Sequence, residues 1–254
     1  CFDTAFHRDH PWIADTYALP RRFYDAGVRR YGFHGLSYAY VTGVLRAAAP
    51  EVATGRLVIA HLGNGASACA LQGGRSIYSS MGFSALDGLP MGTRCGQIDP
   101  GVLLYLIDSE GLGSRQIADV LYKQSGLKGL SGLSNDVREL EAAGTREAAE
   151  ALDYFAFHVR REIAAMAGVL GGLDALVFCG GIGENARAVR GRICETLGWL
   201  GIEIDAARND LDPSPGGALD IGAGLTRVLV VPTDEERVIA RAVVGALHGT
   251  APVG

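Results

Sequence analysis

Arg56-Leu57-Val58-Ile59-Ala60-His61-Leu62-Gly63-Asn64-Gly65-Ala66-Ser67-Ala68-Cys69-Ala70-Leu71-Gln72-Gly73-Gly74-Arg75-Ser76-Ile77-Tyr78-Ser79 is the stretch on which the fold turns. Residues 56–63 contain four consecutive apolar side chains, Leu57 to Ala60, which suits a buried strand. A glycine turn follows, then a second strand over residues 66–71. Gly73-Gly74 supplies a hairpin turn into a third strand over 75–79. Downstream, Asp99-Pro100 carries the signature of a helix start, with Asp as cap and Pro in the first turn. Leu152, Phe155, Val159, Ile163, Met166 and Leu170 recur at helical spacing, so residues 147–170 form one long amphipathic helix ended by Gly171-Gly172. A short buried strand is expected over 174–179. Gly180 to Gly183 then turn into a helix over about 185–197. Another strand lies at 227–231. Thr233 and Glu236 have capping-box spacing for a last helix to about Leu247. Strands and helices alternate around one inserted hairpin, which makes an α/β domain with a mixed β-sheet flanked by helices.

The composition narrows the function classes. At 254 residues, 48% hydrophobic and 20% charged, the chain has an ordinary soluble balance and enough length for a sizeable core. A formal net charge of −5 gives no basic footprint for nucleic acid. No apolar run is long enough to span a membrane, and the charged, Pro-containing start is no signal peptide. The five cysteines are odd in number and have no CxxC pair, which points to free thiols in a cytoplasmic setting. His7, His10, His158 and His248 show no paired metal-ligand spacing.

Two glycine turns each leave a buried strand: His61-Leu62-Gly63-Asn64-Gly65 and Gly180-Gly181-Ile182-Gly183-Glu184-Asn185. Without a Cβ, the backbone can approach a ligand closely, and its N–H groups can cradle phosphate oxygens. The second turn also leads into a helix N-terminus, which favours an anion. A purely structural reading stands beside this one, since Asn-Gly is a common hairpin turn and Gly often eases strand–helix packing. Neither turn matches the dinucleotide pattern GxGxxG or the phosphate loop GxxxxGK[ST], so a dehydrogenase and a Walker-type ATPase are both unsupported.

Six strings in order resemble the acetate kinase family: Phe2-Asp3-Thr4-Ala5-Phe6-His7, Arg29-Arg30-Tyr31-Gly32-Phe33-His34-Gly35, residues 60–67, Met91-Gly92-Thr93-Arg94, residues 180–185 and Pro232-Thr233-Asp234-Glu235-Glu236. The resemblance covers the whole chain. It implies an actin-like (ribonuclease H-like) kinase domain, and reversible transfer of the ATP γ-phosphoryl group to acetate, giving acetyl phosphate and ADP by direct in-line transfer. It further implies Mg2+, or Mn2+ in its place, and a homodimer formed through this domain. By the same resemblance residues 4–236 are the second, nucleotide-binding domain. Residues 1–3 and 237–254 are remnants that pack with a first domain, and the chain, opening on Cys1, is the C-terminal portion of a longer protein. Propionate kinase is the nearest alternative, and a nucleotide-binding module without catalysis is the alternative for this portion alone.

Carried onto this sequence, the family pattern implies catalytic roles for Asp3, His34 and Arg94. It implies ATP binding by His61, Leu62, Gly63, Asn64 and Gly65, by Asp136, Val137 and Arg138, and by Gly181, Ile182, Gly183, Glu184 and Asn185. It places Phe33 and Ala85 in the acyl pocket and Glu235 on the metal. The residue types suit the reaction. A carboxylate is already ionised at neutral pH and needs no general base. The task is to bring two anions together and to spread charge over the phosphoryl oxygens. Arg94 offers a permanently charged fork, and His34 can donate from one ring nitrogen. Glu235 is a hard oxygen ligand suited to Mg2+. From the residues alone, Asp3 could equally cap a turn, His34 could sit satisfied in a core, Arg94 could be a surface ion-pair partner, and Glu235 could favour a helix start. The sequence also departs from many family members. Leu36 and Tyr38 stand where Thr and His are common, Cys95-Gly96-Gln97 where Ser-Gly-Asp is common, and Ala85 where Pro is common.

Overall fold

The computed structural model describes residues 2–247. Cys1, His248 and the end of the proposed C-terminal remnant lie outside them. Six strands form one sheet: β1 (Arg56–Leu62), β2 (Ala66–Gln72), β3 (Arg75–Ser79), β4 (Ala175–Cys179), β5 (Leu219–Asp220) and β6 (Arg227–Val230). Their order across the sheet is β3-β2-β1-β4-β6-β5. β1, β2 and β3 form an antiparallel meander, β4 lies parallel to β1, β6 lies parallel to β4, and β5 closes the far edge antiparallel. The expected mixed sheet flanked by helices is therefore present.

The period-two alternation of each strand sorts its side chains onto two faces. Val58, Ala60, Leu62, Leu176 and Phe178 pack against the long helix Arg146–Leu170, which turns Leu152, Phe155, Val159, Ile163 and Met166 towards them. Leu57, Ile59, Val177 and Cys179 face the other way, onto Tyr38, Val41 and Leu45 of the helix Gly35–Ala48. A central strand loaded on both faces explains why residues 57–60 are an unbroken apolar run. Thr145 caps the long helix through Ala148 N, and Asp99 caps Pro100–Asp108 through Gly101 N.

Three local expectations are revised. Residues 180–185 form a helical turn, not an open turn, and Ala186 breaks it from a second helix, Arg187–Cys194. The break is fixed by Arg190, whose side chain is fully buried. Its Nη1 donates to the carbonyls of Gly183 and Glu184, while Nε and Nη2 donate to Asn209. The last helix, Glu235–Leu247, is capped by Asp234 through Arg237 N rather than by Thr233. Thr233 is engaged elsewhere, donating its backbone N–H to Glu184 Oε1. The helix Gly35–Ala48 was not expected. Its N-terminus is satisfied by Asp3 from far away in sequence, so no local capping signal marks it.

Candidate active site

β1 and β4 end side by side, with His61 opposite Cys179, so the two glycine turns emerge as neighbours. A Cβ placed on Gly63 would lie 4.0 Å from Gly181 N. Leu62 is buried in the core beneath, and Gly183 is buried behind its turn, while Asn64, Gly181 and Asn185 face solvent. Asn64 ties the first turn outward. Its carbonyl accepts from Gly92 N at 3.1 Å and its side-chain oxygen accepts from Asn135 Nδ2 at 3.1 Å. That link sets the start of the helix Val137–Ala143 on the rim. There Asp136 caps the helix and holds the Arg138 guanidinium, which keeps the Asp136 carboxyl down at about 2. In the second turn Ile182 packs onto the core, Asn185 donates to Gly181 O, and Glu184 accepts from Gly180 N and Thr233 N. Glu184 thus braces the turn rather than presenting a free carboxylate.

His34 and Arg94 meet over Gly65. A Cβ there would stand 3.3 Å from His34 Nε2 and 3.4 Å from Arg94 Nη2. Arg94 Nη1 donates to Ala85 O at 2.9 Å, which aims the rest of its fork at this point. His34 has φ of +55°, making it the one non-glycine residue with positive φ among those described. That strained conformation is held by its neighbours. Asp3 accepts from His34 N at 3.0 Å and from Leu36 N at 3.3 Å, and Gly35 passes so near Asp3 O that a Cβ would lie 1.9 Å from it. Asp3 therefore sets the backbone of His34.

The tautomer of His34 follows from its buried support. Tyr38 OH lies within hydrogen-bond reach of Ser67 Oγ, and Ser67 Oγ lies 2.9 Å from His34 Nδ1. Tyr38 is fully buried, and burial raises its pKa well above the usual range, so it stays protonated. With Ser67 as its side-chain partner, Tyr38 donates to Ser67, Ser67 donates to Nδ1, and Nε2 carries the hydrogen towards Gly65. Tyr38 thus anchors this chain of hydrogen bonds from the core side. Burial lowers the His34 pKa to about 4, helped by Arg94 and His7, so the ring is a neutral donor at pH 7. His61 stacks on it, centroids 4.2 Å apart, and is held down to about 3 by burial and by His34.

Phe33 precedes His34 and rests against the core with Ala85. Glu235 opens the last helix, and its Oε1 accepts from Ser37 Oγ at 2.5 Å. No cluster of three or more His, Cys, Asp or Glu could hold a metal ion among the described residues. A single carboxylate beside a hydroxyl fits Mg2+ only if waters and phosphate oxygens fill the remaining positions, which is how that ion is commonly held. Ser67 and Arg190 were not picked out as functional from the sequence. Ser67 lay inside a quoted string, and Arg190 carried no signal at all.

A model of the acetokinase family matches residues 1–241. The chain belongs to the acetokinase family. It is 60% identical to the acetate kinase of Methylocella silvestris over 95% of its own length and 59% of that protein. Among solved structures, acetate kinase from Porphyromonas gingivalis superposes with a TM-score of 0.92 at 38% identity, covering 97% of this chain and 63% of that one. A propionate kinase from Francisella tularensis gives 0.85 at 38% identity, covering 92% and 61%. The chain thus spans about three-fifths of the length of these family members. The four described cysteines are free thiols, and no helix among the described residues is long and apolar enough to cross a membrane.

Proposed function

We propose that this chain is the nucleotide-binding part, residues 4–236, of an acetate kinase that passes the ATP γ-phosphoryl group to acetate. The observation that carries this reading is the meeting of His34 Nε2 and Arg94 Nη2 over Gly65, beside the paired glycine turns. A permanent cation and a neutral N–H donor that converge beside the paired glycine turns suit the equatorial oxygens of a phosphoryl group in flight. The turn from His61 to Gly65 would carry the nucleotide phosphates, and Gly181 to Asn185 with the rim at Asp136 to Arg138 would face the adenosine. Asp3 acts through the backbone of His34, holding its strained conformation. Phe33 and Ala85 would form the apolar side of the acyl pocket. Glu235, with Ser37, would hold Mg2+, which supplies charge neutralisation on the phosphates.

Homodimer formation has its own support. The helix Pro100–Asp108 has no buried residue, yet Val102, Leu104, Tyr105 and Ile107 are each at least 44% exposed. An apolar groove of about 460 Å³ runs beside it, lined by Leu103, Ile117 and Leu121 among others. Surface of that kind marks an interface. Propionate as acceptor also has an observation in its favour, because Ala85 is smaller than the commoner Pro. One methylene in an apolar pocket is worth about 1–3 kcal/mol. The test is to assay a complete family protein carrying this chain with acetate, propionate and butyrate, trapping acyl phosphate with hydroxylamine. Acetyl phosphate formation is expected, with propionate as a usable second substrate. No acyl phosphate from any of the three would overturn the reading, and an acetate preference above about 200-fold would remove the roomier pocket.

A further inference from the structure

Behind Phe33 lies a buried line of polar groups that the phosphoryl chemistry does not use: Asp15, His10, Ser76 and His7. His10 Nδ1 stands 3.3 Å from Asp15 Oδ1, His10 Nε2 stands 2.6 Å from Ser76 Oγ, Ser76 Oγ stands 2.8 Å from His7 Nδ1, and His7 Nε2 stands 3.0 Å from Phe33 O. A β-bulge presents Ser76 to both rings. Leu71 pairs with Ser76 and Ala70 with Tyr78, so Ile77 is the extra residue. His7 also lies under the chain just before His34, because a Cβ on Gly32 would come 2.5 Å from its ring. The residue types are those of a serine hydrolase, but Ser76 is only 5% exposed and its hydroxyl is shared between two imidazoles and the Cys69 thiol at 3.2 Å. It has no room to attack a substrate.

The proton count is the decisive feature. Three hydrogen bonds and one close contact, His10 Nδ1 to Asp15 Oδ1 at 3.3 Å, join these groups, and closing that contact as well would need four hydrogens. With both imidazoles neutral, Ser76 as a hydroxyl and Asp15 ionised, the groups supply only three, one from each ring and one from Ser76. Phe33 O can only accept, so His7 must donate from Nε2 and accept at Nδ1 from Ser76. Ser76 must then accept from His10 Nε2, which leaves the bare Nδ1 lone pair facing a carboxylate oxygen. Those two atoms, His10 Nδ1 and Asp15 Oδ1, stand 3.3 Å apart and are buried without any hydrogen-bond partner among the described residues. One additional proton between them satisfies both. Placing the extra proton on His7 instead merely reverses the direction of the other links.

We propose that Asp15, His10, Ser76 and His7 form a relay that retains one extra proton, and that this relay positions Phe33 and therefore the His34 ring. These are positioning residues, and their effect on turnover rests on the reading of His34 as a phosphoryl contact. From the elements packed around it the relay faces Asp3, Arg29, Arg30, Tyr17, Tyr38 and Cys69. Burial raises the Asp15 carboxyl, opposed by Arg29 and Arg30, and burial lowers both histidines to about 4. Burial thus disfavours charge on the carboxyl and on both rings alike, and the His10–Asp15 contact is where one proton would relieve two orphaned atoms at once. A raised Asp value means the link is complete at low pH and is lost as pH rises through the folded value.

The test uses Ser76→Ala, Ser76→Thr, Asp15→Asn and Asp15→Leu. Asp15→Asn offers a permanent N–H to His10, whereas Asp15→Leu offers none. Ring resonances of His7, His10 and His34 are followed by nitrogen-15 NMR in the full chain across pH. In the parent, His7 should be hydrogenated at Nε2 and His10 at Nε2, with a pH step that Asp15→Asn abolishes. The His34 ring should shift in Ser76→Ala and Asp15→Leu, and return in Ser76→Thr and Asp15→Asn. An unmoved His34 in Ser76→Ala, or an unchanged pH step in Asp15→Asn, overturns the proposal. In a complete family protein, Ser76→Ala should lower kcat roughly tenfold, the equivalent of one buried hydrogen bond, with the KM for ATP held. If His34 moves while kcat does not, the relay stands and the phosphoryl role of His34 falls.

Discussion

At the ends of β1 and β4, which pair in parallel with His61 opposite Cys179, stand two glycine turns built on different constraints. In the first, Gly65 is glycine because of what faces it. Its absent Cβ leaves the space in which His34 Nε2 and Arg94 Nη2 converge. In the second, Gly180 is glycine because of the backbone itself. Its φ is +76° and a Cβ would lie 2.7 Å from Leu62 O. One turn is shaped by the site and the other by the fold, although both look alike as sequence. Gly181, beside Gly180, has nothing within 4 Å of a Cβ and is exposed.

The comparison is tested hardest at Arg94. If the first turn is the catalytic side, Arg94→Ala in a complete family protein should cost on the order of 10³-fold in kcat with little change in nucleotide affinity, as other phosphoryl-directed arginines do. Steady-state kinetics with calorimetry of nucleotide binding measures both, and a loss within about tenfold would remove Arg94 from the site.

Gly65→Ala and Gly180→Ala separate the two constraints. A methyl on Gly65 presses on side-chain ends at 3.3 and 3.4 Å rather than on backbone, so stability should fall less than at Gly180 while kcat/KM falls about 10²-fold through displaced reacting groups. A methyl on Gly180 meets a carbonyl and a left-handed backbone, so about 1–3 kcal/mol of stability should be lost. Denaturant titration of the three proteins decides it. Equal stability losses at both positions would mean that both turns are fold-driven. Gly181→Ala should cost no stability in the same titration. Its helix would be slightly favoured if anything, and only nucleotide affinity should respond.

The pH dependence sharpens the contrast further, because the first turn lies among buried histidines and the second does not. His34 is held down to about 4 and His61 to about 3, in each case chiefly by burial. In the unfolded chain each returns to its ordinary value near 6.5. Between those limits the unfolded state binds more protons, so stability should fall as pH drops from about 6.5 towards 4. Denaturant midpoints at pH 7 and pH 5 should show the loss, and His61→Gln should reduce it. A His61→Gln protein with the parent's full pH slope would show that the imidazole is not excluded from protonation by burial.

Much of the fold was legible because its signals are local. The apolar run at 57–60, the Gly73-Gly74 turn and the helical period from Leu152 to Leu170 each declare an element within their own span, and β1 to β3 and Arg146–Leu170 appear where those signals lie. Family strings likewise named His34 and Arg94 as candidates. What the strings could not state was why the backbone at His34 takes φ of +55°. That depends on Asp3, on the Gly35 approach and on His7 beneath Gly32, which are brought together only by folding. The helicity of residues 180–185 was hidden for the same reason. Glycines there predict a turn from intrinsic propensity, and Arg190, wholly buried, overrides it by holding the carbonyls of Gly183 and Glu184. Thr233 had capping-box spacing, yet Glu184 took its N–H and left Asp234 to cap the helix. By itself the sequence determined the elements with strong local signals, β1 to β4, β6 and the long helix Arg146–Leu170, and which residue types could meet a phosphoryl group. The tertiary structure alone decided which hydrogen goes where, because a proton's place depends on partners that are distant in the chain and adjacent only in the folded core.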